Sequence, residues 1–268
     1  MTARPAPLPG RKAVFITGAA SGIGLATAER FAREGWLVGV ADLNAEGADA
    51  AAARLAPHGV PLALDVRDRA QWAAALGEFA ARSGGRLDVL VNNAGVARFG
   101  WFETLSGAEM DLIVDVNLKG VLNGAYVALD LLKATPGARL INVGSCAGLV
   151  GAPRQAAYSA TKWAVRGLSD ALGVEFTRFG IGVACIMPWF VETPILDSSA
   201  AGGNESFRDA IRQTGAAVCT VAEAAETIWQ AANGDATAYI VGKPGRQLRF
   251  MARYFPGLLR KRLLAAIA

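Results

Sequence analysis

A single doubly wound α/β domain, with a parallel sheet of about seven strands flanked by helices, is the fold class this sequence predicts. Three observations predict it. Short apolar runs rich in Val, Ile and Leu recur as "AVFITG", "WLVGVAD", "VPLALDV", "LDVLVNNAG", "ARLINVGS" and "GVACIMP". They are continuous rather than alternating, which is the pattern of strands buried on both faces. Between successive runs lie segments of helical periodicity, and that alternation builds a parallel sheet with right-handed crossovers. Finally, 53% of the 268 residues are apolar and only 19% are charged, enough for one large core and too few charges for a disordered chain.

The elements follow in order. After "AVFITG", the segment "AASGIGLATAERFAREG" places Ile23, Ala26, Thr27, Arg30 and Phe31 at helical spacing, with Gly35 as its stop. "WLVGVAD" is the second strand, "AEGADAAAARLA" a helix and "VPLALDV" the third strand. Residues 69–82 are helical, and "LDVLVNNAG" is a strand running into a turn. A long amphipathic helix covers 108–133, "ARLINVGS" follows as a strand, a helix spans about 155–179, and "GVACIMP" is the next strand. No repeat or interdomain linker interrupts the chain. Residues 1–11 read as a flexible leader, 12–242 as the α/β domain with a mobile loop at about 189–220 suited to act as a lid, and 243–268 as a basic amphipathic helical extension.

Composition narrows the chemistry. His58 is the lone histidine, and Cys146, Cys185 and Cys219 are scattered without metal spacing. Histidine-based triads, a metal site and a disulfide framework are therefore not expected, and a reducing, cytoplasmic setting is. No apolar run reaches the roughly 18–20 residues that span a bilayer. The formal charge of +4 is unevenly spread: Lys243, Arg246, Arg249, Arg253, Arg260, Lys261 and Arg262 fall after residue 242 with no acid among them, leaving 20 basic against 23 acidic residues elsewhere. Basicity thus belongs to the tail, and a nucleic-acid-binding face is not expected.

Two clusters carry chemistry. "TGAASGIG" sets Gly18, Gly22 and Gly24, with Ser21 and Ile23 between them, at a strand-to-helix turn. Glycines there let backbone approach a pyrophosphate at a helix N-terminus. Asp42 closes the second strand, where a carboxylate accepts from adenosine ribose hydroxyls and repels a 2′-phosphate; NAD is favoured over NADP. The alternative for Asp42 is a solvent-facing strand end or helix cap. In "YSATK", Tyr158 and Lys162 stand one helical turn apart. A cation that close favours phenolate, so the tyrosine pKa should fall from about 10.

Together, "TGAASGIG" at 17–24, "LDV" at 64–66, "NNAG" at 92–95, "VNLKG" at 116–120, "NVGSCAG" at 142–148 and "YSATK" at 158–162 resemble the short-chain dehydrogenase/reductase family over roughly residues 12–195. The resemblance implies a Rossmann-like fold, hydride chemistry with a nicotinamide dinucleotide, and a homotetramer or homodimer built on the helices at 108–133 and 155–179. By the same resemblance Tyr158 is the general acid/base. Lys162 lowers its pKa and binds the nicotinamide ribose, Ser145 holds the substrate oxygen, and Asn117 positions a water. Asp65 and Val66 flank the adenine, Asn92, Ala94 and Gly95 line the cofactor groove, and Pro188 and Thr193 lie by the nicotinamide. One departure stands out: Trp189 follows Pro188 where the family usually has glycine. Either its indole crowds the nicotinamide side and roofs the cavity with Phe190, or it packs into the core and shifts the loop.

Val96, Ala147, Leu149, Val150, Trp189 and Phe190 are the expected substrate pocket, with Phe99, Trp101 and Phe102 as a rim. Such an apolar set suits a lipophilic secondary alcohol or ketone. An NADP-dependent carbonyl reductase, a dehydratase or epimerase, and a dinucleotide-sensing protein without chemistry are the competing readings. The tail either lies on an anionic membrane surface, covers the pocket, or docks on a sister subunit.

Overall fold

The structure, a computed structural model, describes residues 10–197, 206–265 and 267. Most of the expected leader and the middle of the lid, residues 198–205, lie outside the described residues. The first half alternates strictly: β1 Ala13–Thr17, α1 Gly22–Arg33, β2 Leu37–Asp42, α2 Ala45–Arg54, β3 Gly59–Ala63 and α3 Arg69–Ser83. The chain then forms β4 Val89–Asn92, α4 Gly107–Val114, α5 Gly120–Val127, α6 Leu129–Ala134, β5 Arg139–Val143, α7 Ala156–Glu175 and β6 Gly182–Pro188. It ends with α8 Phe207–Gln213, α9 Val221–Asn233, β7 Ala238–Val241, α10 Lys243–Tyr254 and α11 Pro256–Ala265.

All seven strands are parallel, in the order β3-β2-β1-β4-β5-β6-β7. The order reverses between β1 and β4, and in open α/β sheets ligands bind in the crevice outside the carboxyl ends of the strands at that point. Both faces of the sheet are covered. On one, α1 and α9 bring Phe31, Trp36 and Trp229 together edge-to-face at centroid distances of 5.0, 5.0 and 5.8 Å. On the other, α3 sets Trp72 and Phe79 against Phe15 of β1 at 5.7 and 5.5 Å. Every residue of β1 is fully buried or nearly so, as continuous apolar runs require. No helix among the described residues is long and apolar enough to cross a membrane.

Two departures from the sequence reading bear on the site. The helix expected over 108–133 is broken into α4, α5 and α6, and between α4 and α5 one turn widens so that the Gly120 N–H donates to Asp115 O, five residues back. Widened turns of this kind recur at functional sites; this one carries Asn117. The third strand stops at Ala63, which leaves Asp65 and Val66 in the loop beyond it.

Candidate active site

The cleft starts at the turn between β1 and α1. Gly18 has φ +65°, and a Cβ there would stand 2.9 Å from Ala94 Cα. The Thr17 hydroxyl accepts from the backbone N–H groups of Asn93 and Ala94, both at 3.0 Å, and the Asn93 side chain donates to Thr17 O at 2.8 Å. The turn after β4 is thereby clamped onto the turn after β1. Ser21 precedes α1 without making a side-chain capping bond, and no acid stands in the first turn. The leading N–H groups of α1 are left without helical or capping partners at the positive end of its dipole, a cradle for an anionic phosphate.

Asp42 lies at the edge of the same cleft. One carboxylate oxygen accepts from Ala20 N and the other from Asn44 N, each at 3.0 Å. The cap of α2 is Asn44 rather than Asp42, since Asn44 accepts from Gly47 N. Each oxygen of Asp42 keeps a lone pair for a further donor. Farther along, Arg67 binds Asp65 through its Nε and its Nη2, the latter at 2.6 Å, and this pairing holds the Asp65 carboxyl below its usual range.

The residues expected to carry the chemistry gather beyond the C-terminal ends of β4 and β5. Ser145 follows β5 in extended conformation, and its hydroxyl accepts from Ala147 N at 3.1 Å. Tyr158 stands in the first turn of α7 and shares a side-chain hydrogen bond with Ser145. Lys162 occupies the buried stripe of α7 that continues through Val165 and Ser169. Its Nζ donates to Val143 O at 2.9 Å and lies 5.6 Å from the centre of the Tyr158 ring. Asn117, wholly buried, accepts from Val96 N and donates to Val96 O, both at 2.8 Å. It fixes the wall against which Gly95 and Val96 lie.

The electrostatics differ from the sequence expectation. Burial pushes the Lys162 ammonium down from 10.5 to about 8. Burial also raises the Tyr158 phenol, outweighing the lowering effect of the Ser145 hydrogen bond. The expected lowering of Tyr158 by Lys162 does not appear, because the ammonium faces the Val143 carbonyl and both groups pay for leaving water. As it stands, the pair is a neutral phenol beside a weakened cation.

Of the residues expected in the cofactor groove, Gly18, Ser21, Gly22, Ile23, Asp42, Asp65, Val66, Ala94, Gly95, Pro188 and Thr193 border the cavity, as do Tyr158 and Lys162. Two do not. Gly24 is buried behind the turn, where a side chain would run into the Gly18 carbonyl; its task is close packing of helix on strand. Asn92 points to the buried sheet face under α5 and α7, donating to Asn142 Oδ1 at 2.9 Å, while Asn142 donates to the Ser169 hydroxyl at 3.0 Å. Side chains alternate along a strand, so the groove position falls to Asn93, one residue on.

The cavity measures about 940 Å³. Its far end is formed by Val96, Ala147, Val150, Trp189 and Phe190, with Leu196 and Phe207 from the lid. Leu149 is corrected: it turns away into a cluster with Cys146, Cys185 and Met187. The expected rim is corrected too. Phe99 is buried against Phe207 at 4.9 Å, while Trp101 and Phe102 are exposed and away from the cavity. Trp189 combines its two alternatives. Its ring faces the cavity and Phe190 at 4.7 Å, and its indole N–H donates to Ala217 O at 2.9 Å, bracing the lid. Leu248 and Leu263, which the sequence did not single out, line the cavity from α10 and α11, in keeping with the alternative that the tail covers the pocket. Their signal was present in the apolar positions spaced through the basic tail.

The short chain dehydrogenase family profile matches residues 12–203. Oxidoreductase UcpA of Escherichia coli K12 is 39% identical over 197 residues, covering 72% of this chain and 74% of UcpA. The 3-alpha-(or 20-beta)-hydroxysteroid dehydrogenase of Mycobacterium tuberculosis is 38% identical over 186 residues, covering 69% of this chain and 71% of that protein. A short chain dehydrogenase/reductase from Burkholderia phymatum, solved in complex with NAD, superposes with a TM-score of 0.82 at 25% identity, covering 94% of this chain and 95% of that one.

Proposed function

The chain belongs to the short-chain dehydrogenase family, and we propose that within it the protein is an NAD-dependent oxidoreductase interconverting a lipophilic secondary alcohol and its ketone. The observation that carries this reading is the meeting of Ser145, Tyr158 and Lys162 where an open glycine turn joins an apolar cavity. Gly18, Gly22 and the first turn of α1 would hold the pyrophosphate, Asp42 the adenosine ribose, and Lys162 and Thr193 the nicotinamide end. A nicotinamide dinucleotide bound there supplies the hydride acceptor or donor. Tyr158 takes the hydroxyl proton as alcohol becomes ketone and returns it in the reverse direction. Ser145 holds the same oxygen by a hydrogen bond, and the apolar walls keep water from it.

Asp42 supports NAD, because a 2′-phosphate would meet its carboxylate. Arg67 is the nearest argument for NADP, and its bidentate attachment to Asp65 commits that charge. Asp42→Asn should lower kcat/KM for NAD about tenfold, through loss of charge-assisted hydrogen bonds, and raise it for NADP. Equal effects on both cofactors would mean Asp42 acts only by holding Ala20 and Asn44.

The relative named for hydroxysteroids agrees in kind with a lipophilic guest. Following nicotinamide absorbance with NAD, NADP and a panel of lipophilic secondary alcohols tests the whole reading. Turnover with NADP alone would replace the cofactor assignment, and tight NAD binding without turnover on any alcohol or ketone would favour a dinucleotide sensor. Self-association through α4, α5 and α7 completes the proposal, since Val114, Leu122, Tyr126, Trp163 and Val174 are exposed there. Sedimentation should give a dimer or tetramer; a monomer would remove that part. Three buried free thiols suit a reducing cytoplasm, which cell fractionation reads directly.

A further inference from the structure

The reaction proposed above leaves the outer face of α10 and α11 unexplained. All seven cations of this segment are exposed. None pairs with a carboxylate among the described residues, although the rest of the chain carries an excess of acids. Interleaved with them, Phe250, Tyr254, Phe255, Leu258 and Leu264 are 46–60% exposed. Phe250 touches both other rings, lying 4.9 Å from Tyr254 and 5.9 Å from Phe255. Arg246, Arg249 and Arg253 stand three and four residues apart along α10 and flank them.

The inner face is anchored. Gly245 lies so close to the body that a Cβ would be 2.8 Å from both Cys146 Sγ and Ile240 Cγ2. Leu248 packs on the Cys146–Met187 cluster, and Leu248 and Leu263 line the cavity. The segment is a two-faced hairpin, fixed on one side and carrying rings and cations on the other.

We propose that this outer face docks on an anionic lipid surface. A leaflet accepts both kinds of side chain at once, the rings below the headgroups and the guanidinium groups among the phosphates. A protein partner would have to set fixed carboxylates against all seven cations, and Asp and Glu are depleted in such interfaces, whereas the phosphates of a leaflet move to meet them. Docked this way, the hairpin places Leu248 and Leu263 between the leaflet and the cavity. That corollary rests on reading the cavity as a lipophilic substrate site; the docking itself does not.

Vesicle sedimentation of the full chain, without substrate, tests it separately from the reaction. The protein should pellet with phosphatidylcholine–phosphatidylserine vesicles, stay in solution with phosphatidylcholine alone, and be released by salt. Replacing Arg246, Arg249 and Arg253 with Gln together should weaken binding about 100-fold, at roughly fivefold for each cation near the surface. Phe250→Ser with Tyr254→Ser should weaken it as well, with unchanged thermal melts showing intact folds. Equal partition onto both vesicle types, or no pelleting at low salt, would overturn the proposal. So would arginine variants that bind no less tightly. Loss of oligomer mass in those variants, without vesicle binding by the parent, would overturn it in favour of a contact between copies.

Discussion

Tyr158→Phe should lower kcat by about 10²–10⁴-fold, the usual worth of a positioned acid–base group, while NAD still binds and the melting temperature stays close to that of the parent. The substitution removes one oxygen and keeps the ring, so packing in the first turn of α7 is preserved. Ser145 keeps its bond to Ala147 N and still orients a substrate oxygen, but no group remains to exchange a proton with it. Because burial raises the phenol, the resting tyrosine carries its proton and is suited to donate during ketone reduction. Alcohol oxidation needs that proton to leave and should gain more from rising pH than reduction does. Steady-state kinetics in both directions, with NAD binding read by fluorescence, check the prediction. A variant that keeps more than a tenth of its turnover would remove Tyr158 from the chemistry, and one that unfolds would make it structural.

The second large effect concerns stability. Lys162→Met should abolish turnover yet raise stability at pH 7 by roughly 1–3 kcal/mol. Burial takes this ammonium from 10.5 in the unfolded chain to about 8 in the folded one. Between those values the unfolded chain holds a proton that the folded protein has released, so the contribution of the site to stability increases as pH rises through the window. Below about pH 8 the penalty of a buried charge is present in full. Methionine has similar length and no charge, and the loss of the Val143 O partner offsets part of the gain. Melts at pH 7 and pH 10 should therefore show a difference that is large at the first and small at the second. A variant that melts lower at both would show the hydrogen bond outweighing desolvation. If the gain is found, the site trades stability for a cation beside the tyrosine, a common opposition in active sites.

Six of the seven strands were legible because each is a continuous apolar run, and "GVACIMP" coincides with β6 residue for residue. The strand left unplaced, Ala238–Val241, is four residues long and half-buried at the sheet edge, too short to separate from a loop by pattern. The break within 108–133 was hidden because apolar spacing continues through it. Only the pull of the Val96 backbone on Asn117, a tertiary contact, shows what the widened turn holds. Motif spacing located the turn at Gly18 and the pair on α7. It could not tell which of two adjacent asparagines faces the groove, since that depends on where β4 ends. It also missed Leu248 and Leu263, because their relation to the cavity is set by how a distant hairpin folds back. The direction of the Tyr158 shift was misjudged for a different reason: charge proximity can be counted along a helix, and burial cannot.

The chain of polar contacts from Asn92 through Asn142 to Ser169 has a bearing on inheritance. It ties two neighbouring strands to the helix that carries Tyr158 and Lys162, and a mismatch at any member strands a buried amide. The three positions therefore behave as one heritable block rather than three independent letters. In a chimaera of two such chains, a crossover placed anywhere between residues 92 and 169 divides that block unless both parents already agree at all three.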